Sequence, residues 1–349
     1  MAQPNIRYTQ RHYTVRFLAP AFLGNAVQDA QWRTPPFKAL LRQWWRVAWM
    51  AENGHPKDIT RMRREEGLLF GHAWPEDDRT DVPNEASEPV RARKSLVRLR
   101  LDTESASDQT AWRHGSQEGV APLATSIENG YAWFGLVRRG KNIPDRNAIR
   151  SRAEESVRIL KIAAPDTYIH RLDTVMELAH QFGTLGSRSR GGWGSVAIKD
   201  NGEATAPSVP DGILLDWQRC LKSDWARAIA RCEQGPWIWE STKSFESWDK
   251  AMAAMAQERR NARLKLKQPA ADLRKALGFA GAGRMASPLR WKLMADPDGK
   301  LRIRVFAMPH KIPTDSGETL ELNKLEQAWR DVASHLDSAR TFRRLSGVQ

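Results

Sequence analysis

Residues 166–199 read DTYIHRLDTVMELAHQFGTLGSRSRGGWGSVAIK, and this stretch decides the fold. Its first half carries Tyr168, Ile169, Leu172, Val175, Met176, Ala179 and Phe182, an apolar stripe of helical period, so a helix is predicted over 166–182. Asp166 after Pro165 suits an N-cap, and Gly183 suits the left-handed position past a helix end. From Gly183 to Ser195 the chain then packs five glycines, Arg188, Arg190 and Trp193 into thirteen residues. A short strand, Val196 to Lys199, follows. The loop is no Walker loop, because no Gly-Lys-Ser/Thr stands at the required spacing. It is no dinucleotide fingerprint either, because it runs from helix to strand, the reverse of the Rossmann order. Glycines let a backbone approach something closely, arginines supply charge-assisted donors for phosphate, and an aromatic ring offers a stacking face. Together they suit a groove for a nucleic-acid backbone. The competing reading is a flexible surface loop with incidental arginines.

Working outward toward the N-terminus, Tyr13 to Leu18 alternates as a half-buried strand, with Tyr13, Val15 and Phe17 on one face. A loop with Gly24 and the breaker pair Pro35-Pro36 leads to a helix over 37–50. There Phe37, Leu40, Leu41, Trp44, Trp45 and Ala48 form the apolar stripe and Pro36 fits the first turn. A neighbouring face carries Lys38, Arg42, Trp45 and Trp49, extended by Arg46 and preceded by Trp32-Arg33. It reads as a basic-aromatic binding stripe or as a solvated helix face with Trp45 in the core. Between the two helices, 77–89 reads as a loop, 95–101 as a strand and 102–119 as an exposed insertion. Tyr131 to Val137 reads as a strand, and 155–162 as strand or helix. Strand, helix, strands, helix and strand in this order suit a ferredoxin-like α+β unit.

Working toward the C-terminus, 201–211 is a Gly/Pro/Ala linker and the expected boundary between domains 1–200 and 201–349. The next part, to about Lys267, reads as mostly helical, with Trp217, Trp225, Trp237, Trp239 and Trp248 and a basic tail from Arg259. These tryptophans suit either a buried helical core or a protein–protein surface. Two strands, 288–294 and 300–308, join in a hairpin at Asp296-Pro297-Asp298-Gly299, and a last helix spans 319–336.

Composition narrows the function. The 349 residues hold 55 Lys and Arg against 41 Asp and Glu, a formal charge of +14, which favours a polyanionic partner. Two cysteines, Cys220 and Cys232, exclude a disulfide framework or Cys-based zinc finger; both read as core residues in a helix, and so few suit a reducing, cytoplasmic setting. No apolar run approaches a membrane span, the first residues have no signal-peptide pattern, and mean hydropathy is −0.60. Eight histidines include no metal-ligand spacing and no Gly-x-Ser-x-Gly elbow occurs, so no catalytic residue, metal or cofactor is expected. His12, near the first strand, is the best candidate base should the chain cleave RNA.

Three segments carry a family resemblance. LAPAFLG (18–24) followed by WRTPPFKALLRQWWR (32–46), the loop FGTLGSRSRGGWGS (182–195), and GRMASPL (283–289) occur in this order. The chain resembles the RAMP superfamily of CRISPR proteins and is most similar to the Cmr-one subunits of type III-B effector complexes. Ala39 stands where that family usually has Gly, and Gly191 where a second consecutive Arg is common. The resemblance implies two ferredoxin-like, RRM-type domains with a helical insertion. It also implies a non-catalytic place in a hetero-oligomeric, RNA-guided antiviral complex, contacting the 3′ region of the guide RNA and single-stranded target RNA. Carried over by position, Arg33, Lys38, Arg42, Trp45 and Arg46 fall in the helix motif, and Trp49 extends its face. Gly183, Gly186, Arg188, Arg190, Gly192, Trp193 and Gly194 fall in the loop motif, and Arg284 in the late segment. The alternatives are a metal-independent endoribonuclease that processes guide RNA and a protein scaffold.

Overall fold

The computed structural model describes residues 6–27, 29–73, 92–102, 131–136, 147–151, 157–201, 209–267, 272–281 and 283–348. β1 (Tyr8–Phe17) buries Tyr13, Val15 and Phe17 on one face, as its alternation requires. α1 (Thr34–Glu52) lays Phe37, Leu40, Leu41, Trp44, Trp45 and Ala48 into the core. It starts three residues earlier than expected, with Pro35 and Pro36 in its first turn and Arg33, in extended conformation, at its N-cap. α2 (Thr60–Phe70) and the short pair β2 (His72–Ala73) and β3 (Ala92–Arg93) precede β4 (Arg98–Leu101). β5 (Arg158–Pro165) makes 158–162 of the expected strand or helix a strand, 155 and 156 lying outside the described residues, and α3 (Asp166–Phe182) and β6 (Val196–Asp200) follow. The sheet order is β4-β5-β1-β6, antiparallel throughout.

The second half repeats the succession. β10 (Ile238–Ser241), α5 (Trp248–Lys265), β13 (Leu289–Ala295), β14 (Leu301–Ala307), α6 (Leu322–Ser338) and β15 (Phe342–Arg344) build a second antiparallel sheet, ordered β13-β14-β10-β15. In each half the first and third strands are central, the second lies beside the third and the fourth beside the first. Between the halves, β7 (Leu214–Asp216), α4 (Trp217–Leu221), β8 (Ile229–Cys232) and β9 (Gly235–Pro236) form a small sheet. β11 (Phe279–Ala280) pairs with β12 (Arg284–Met285).

Several expectations change. Region 212–267 is less helical than read: its α-helices are α4 and α5, a 3-10 turn spans Asp211–Ile213, and the short strands β7 to β10 lie between. All four residues of β10 are buried, so that strand carries no alternation to announce it. Cys220 lies in α4 as expected, but Cys232 ends β8. Tyr131 to Trp133 form a helical turn rather than a strand, because Ala132 and Trp133 both enter the second core. The N-cap of α3 is Pro165; Asp166 is its first helical residue and accepts from the Thr9 hydroxyl at 2.7 Å. Gly183 is extended (φ −78°), not left-handed. The expected loop 77–89, the insertion beyond Asp102 and positions 202–208 of the linker lie outside the described residues.

Two hydrophobic cores follow. One holds Trp32, Phe37, Trp44, Trp45 and Phe182 under the first sheet. The other holds Trp193, Trp237, Trp239, Trp291 and Trp329. Removing each such side chain from water contributes roughly 1.5–3 kcal/mol, which explains much of the high Trp content without any ligand. Trp193 belongs by sequence to the first half but packs in the second core, so the glycine-rich loop joins the two.

Candidate nucleic-acid interface

The glycine-rich loop folds tightly between α3 and β6. Leu185 donates its N–H to Gly194 O at 2.9 Å, Gly194 donates to Pro20 O at 2.9 Å, and Ser187 donates to Phe22 O at 3.0 Å. These bonds lash the loop to the segment after β1. They also explain two glycines. Gly186 sits at φ +92°, where a Cβ would lie 2.6 Å from Phe22 O. Gly194 sits at φ +62°, where a Cβ would overlap the Leu185 carbonyl. The loop is therefore an ordered anchor rather than a flexible appendage.

Beside it lies a cleft of about 320 Å³ lined by Gly24, Arg33, Pro36, Asn147, Gly186 and Ser187, among others. It brings together two sequence motifs: the start of α1 and the loop. A helix N-terminus favours anions through its free N–H groups and dipole. No side chain caps α1. Pro35 and Pro36 lack an N–H, however, which leaves Arg33 as the main charged donor at this end. Its guanidinium Nε is buried without a hydrogen-bond partner.

The loop's arginines extend the positive charge. Arg188 is exposed, holds the left-handed conformation (φ +56°), and stacks its guanidinium 5.5 Å from the Phe134 ring. Partial burial, and then Arg284, hold its pKa below the usual value. Arg190 donates to Ser287 O at 3.2 Å, and burial lowers its pKa. Arg290 is 7% exposed, its Nε is unpartnered, and burial followed by Arg190 brings its pKa down to about 9. Arg259 stacks 5.2 Å from the Tyr131 ring, and its guanidinium crowds Gly191. Arg284 is exposed at the start of β12. Among the described residues no carboxylate pairs with any of these five arginines. With no such pairing among the described residues, they concentrate positive charge on this side of the loop.

Other expected residues play different parts. Trp45 and Trp49 are each 1% exposed and Trp193 is 0% exposed, so none offers a face for a base. Trp45 packs edge-on against Phe70, Trp49 donates Nε1–H to Glu65 at 2.7 Å, and Trp193 donates Nε1–H to Ala132 O at 3.0 Å. The stacking expectation is withdrawn for all three. Arg42 and Arg46 lie along α1, and both donate to the buried carboxylate of Glu66, each Nε at 2.6 Å. Lys38 is half-buried, with its pKa lowered by burial and then by Arg42. Gly183, Gly192 and Gly194 are buried, while Gly186 is exposed. His12 is exposed on β1, cross-strand from Lys161. Among the described residues no three His, Cys, Asp or Glu side chains gather as a metal site, and no helix is long and apolar enough to cross a membrane. The sequence reading missed Ser187, Arg259 and Arg290, and it takes the pair Glu65-Glu66 as solvated charge, whereas Glu66 is buried. Only Arg259 had a signal, as the start of a basic tail.

No protein-family model matches the chain, and no curated protein matches it. Its structural neighbours are CRISPR proteins. Cmr1 from Pyrococcus furiosus in its apo form aligns over 93% of this chain and 96% of its own, at 12% identity and a TM-score of 0.48. A chain of the type III-B Cmr-beta complex bound to cognate target RNA aligns over 93% of this chain and 99% of its own, at 11% identity and a TM-score of 0.48. A chain of a type IV-B CRISPR complex covers 58% of this chain and 94% of its own, at 12% identity and a TM-score of 0.34.

Proposed function

We propose that this chain is a non-catalytic, RNA-binding subunit of a type III, Cmr-like CRISPR effector. In this reading its two halves, 1–200 and 201–349, are ferredoxin-like RAMP domains. It works in the cytoplasm beside other effector subunits and contacts the 3′ region of the guide RNA and the paired target. The observation that carries the reading is the meeting of Arg33 with Gly186 and Ser187 in one cleft, continued by Arg188 and Arg190. Charge-assisted donors on a close-approach backbone suit phosphates, and bases are left to pair with one another. Because Trp45, Trp49 and Trp193 are buried, affinity comes from backbone charge rather than stacking. Binding of a fluorescein-labelled single-stranded RNA, followed by anisotropy across a salt series with denaturing gels of the same samples, tests this. Expected are a steep fall of affinity with salt, intact RNA, and a loss of about tenfold in Arg33→Ala. Salt-independent binding would sink the reading, and shortened RNA would replace it with the processing nuclease.

A further inference from the structure

The side of the first sheet that faces away from α1 and α3 carries a second concentration of charge. On β1 the buried residues are Tyr13, Val15 and Phe17, so Thr14 and Arg16 point the other way, with Arg16 exposed. The register carries that face across the sheet. Lys161 lies directly opposite His12 on one side and Arg100 on the other. Arg98 lies opposite Ala163, and Lys199 opposite Thr14. Arg16, Arg98, Arg100, Lys161 and Lys199 are all exposed, and among the described residues none forms an ion pair with a carboxylate. Asp102, at the end of β4, is the one acid of matching alternation within or next to these strands. Like charges directly across a ladder stand about 4.5–5.5 Å apart at Cβ and destabilise the sheet. A face that keeps Arg100 beside Lys161 therefore costs the free protein stability, which a bound polyanion would offset. Tyr8, on the same face, sits under the Arg98 guanidinium at 4.8 Å, a position open to base contact beside a charge.

We propose that this sheet face is a second RNA surface, separate from the cleft. Arg16, Arg98, Arg100, Lys161 and Lys199 hold the sugar–phosphate backbone of one extended single strand along it. The inference rests on the RNA-binding reading but not on the cleft residues.

The test uses the full chain, a fluorescein-labelled oligouridine long enough to cross both surfaces, and three variants. They are Arg100→Ala/Lys161→Ala, Arg16→Ala/Lys199→Ala, and Arg33→Ala as the cleft control. The proposal expects each sheet double variant to lose about tenfold in affinity at low salt. The slope of log K against log salt should fall by about 1.4, two phosphates at about 0.7 each. The urea midpoint of Arg100→Ala/Lys161→Ala should stay level or rise, because a repulsion is removed. Should that midpoint fall, the Arg16→Ala/Lys199→Ala slope decides. Wild-type affinity and slope in both doubles, with loss in Arg33→Ala, would overturn the sheet surface and leave the cleft standing. No binding by the wild-type chain would overturn both.

Discussion

The buried Nζ of Lys292, whose pKa burial and then Arg304 pull well below the usual lysine value, donates to the carbonyl of Gly183 at 2.7 Å. The same Nζ donates to Val196 O at 2.6 Å and to Ala179 O at 3.3 Å. A lysine from β13 in the second half thus closes the C-terminal end of α3 in the first and brackets the glycine-rich loop at both ends. Carbonyls at a helix C-terminus need donors and favour a cation. Here the lysine is 0% exposed and adds to the backbone donors Gly183 N–H, on Ala179 O, and Val196 N–H, on Gly183 O.

Lys292→Met keeps the apolar stem and removes the shared donor, while Ala179 O keeps the Gly183 N–H at 2.8 Å and Gly183 O the Val196 N–H at 3.4 Å. Losing that donor is expected to cost roughly 1–3 kcal/mol in urea unfolding. A loss under about 1 kcal/mol would mean that water replaces Nζ and that the two halves are not joined there.

Gly194→Ala forces a Cβ into the Leu185 carbonyl at φ +62°. The expected cost is about 2–4 kcal/mol. Gly281→Ala, where a Cβ meets nothing within 4 Å, should stay within about 0.5 kcal/mol of wild type. Equal midpoints for the two variants would show that the loop is not the tight anchor described.

His180 gives the fold a pH limit. Its Nδ1 accepts the Ile198 N–H at 3.1 Å. Burial, then the charges of Lys292 and Arg304, bring its pKa down to about 4. The folded value lies below the unfolded one of about 6.5, so the unfolded chain binds the proton first as pH falls. Stability from this site is full above about pH 6.5 and drains away toward pH 4, by on the order of 3 kcal/mol. Urea midpoints at pH 7 and pH 4.5 measure it. His180→Asn should flatten that part of the profile, and an unchanged slope would assign the acid limb elsewhere.

Glu66→Gln removes the carboxylate shared by Arg42 and Arg46. Stability should fall by about 1–3 kcal/mol, because charge-assisted bonds become neutral ones. RNA affinity at low salt should rise about two- to threefold, because loss of the α2 carboxylate leaves Arg42 and Arg46 of α1 unneutralised. An unchanged affinity, read by anisotropy, would place the RNA away from this helix face.

Much of the fold was legible because periodicity announced it. The stripe of α3 and the alternation of β1 mark elements with one wet face each. β10 has no wet face, so its four buried residues gave no pattern and were absorbed into an expected run of helices. The candidate site was legible in part. Arg33 and Gly186 stand far apart in sequence, and their motifs marked both, but only folding shows that they share a cleft. Trp193 misled because glycines and arginines surround it, as in a stacking loop, while its ring fills the second core. Arg290 gave no signal, since a lone arginine in an apolar strand reads as surface until burial is seen.

The most direct measurement is photocrosslinking of a single-stranded RNA carrying 5-iodouridine to the full chain, with the attached peptides mapped by mass spectrometry. The account predicts adducts in the segments that line the cleft, 22–38 and 183–190, and their loss in Arg33→Ala. Adducts confined to α5 and α6, with none in either cleft segment, would contradict it.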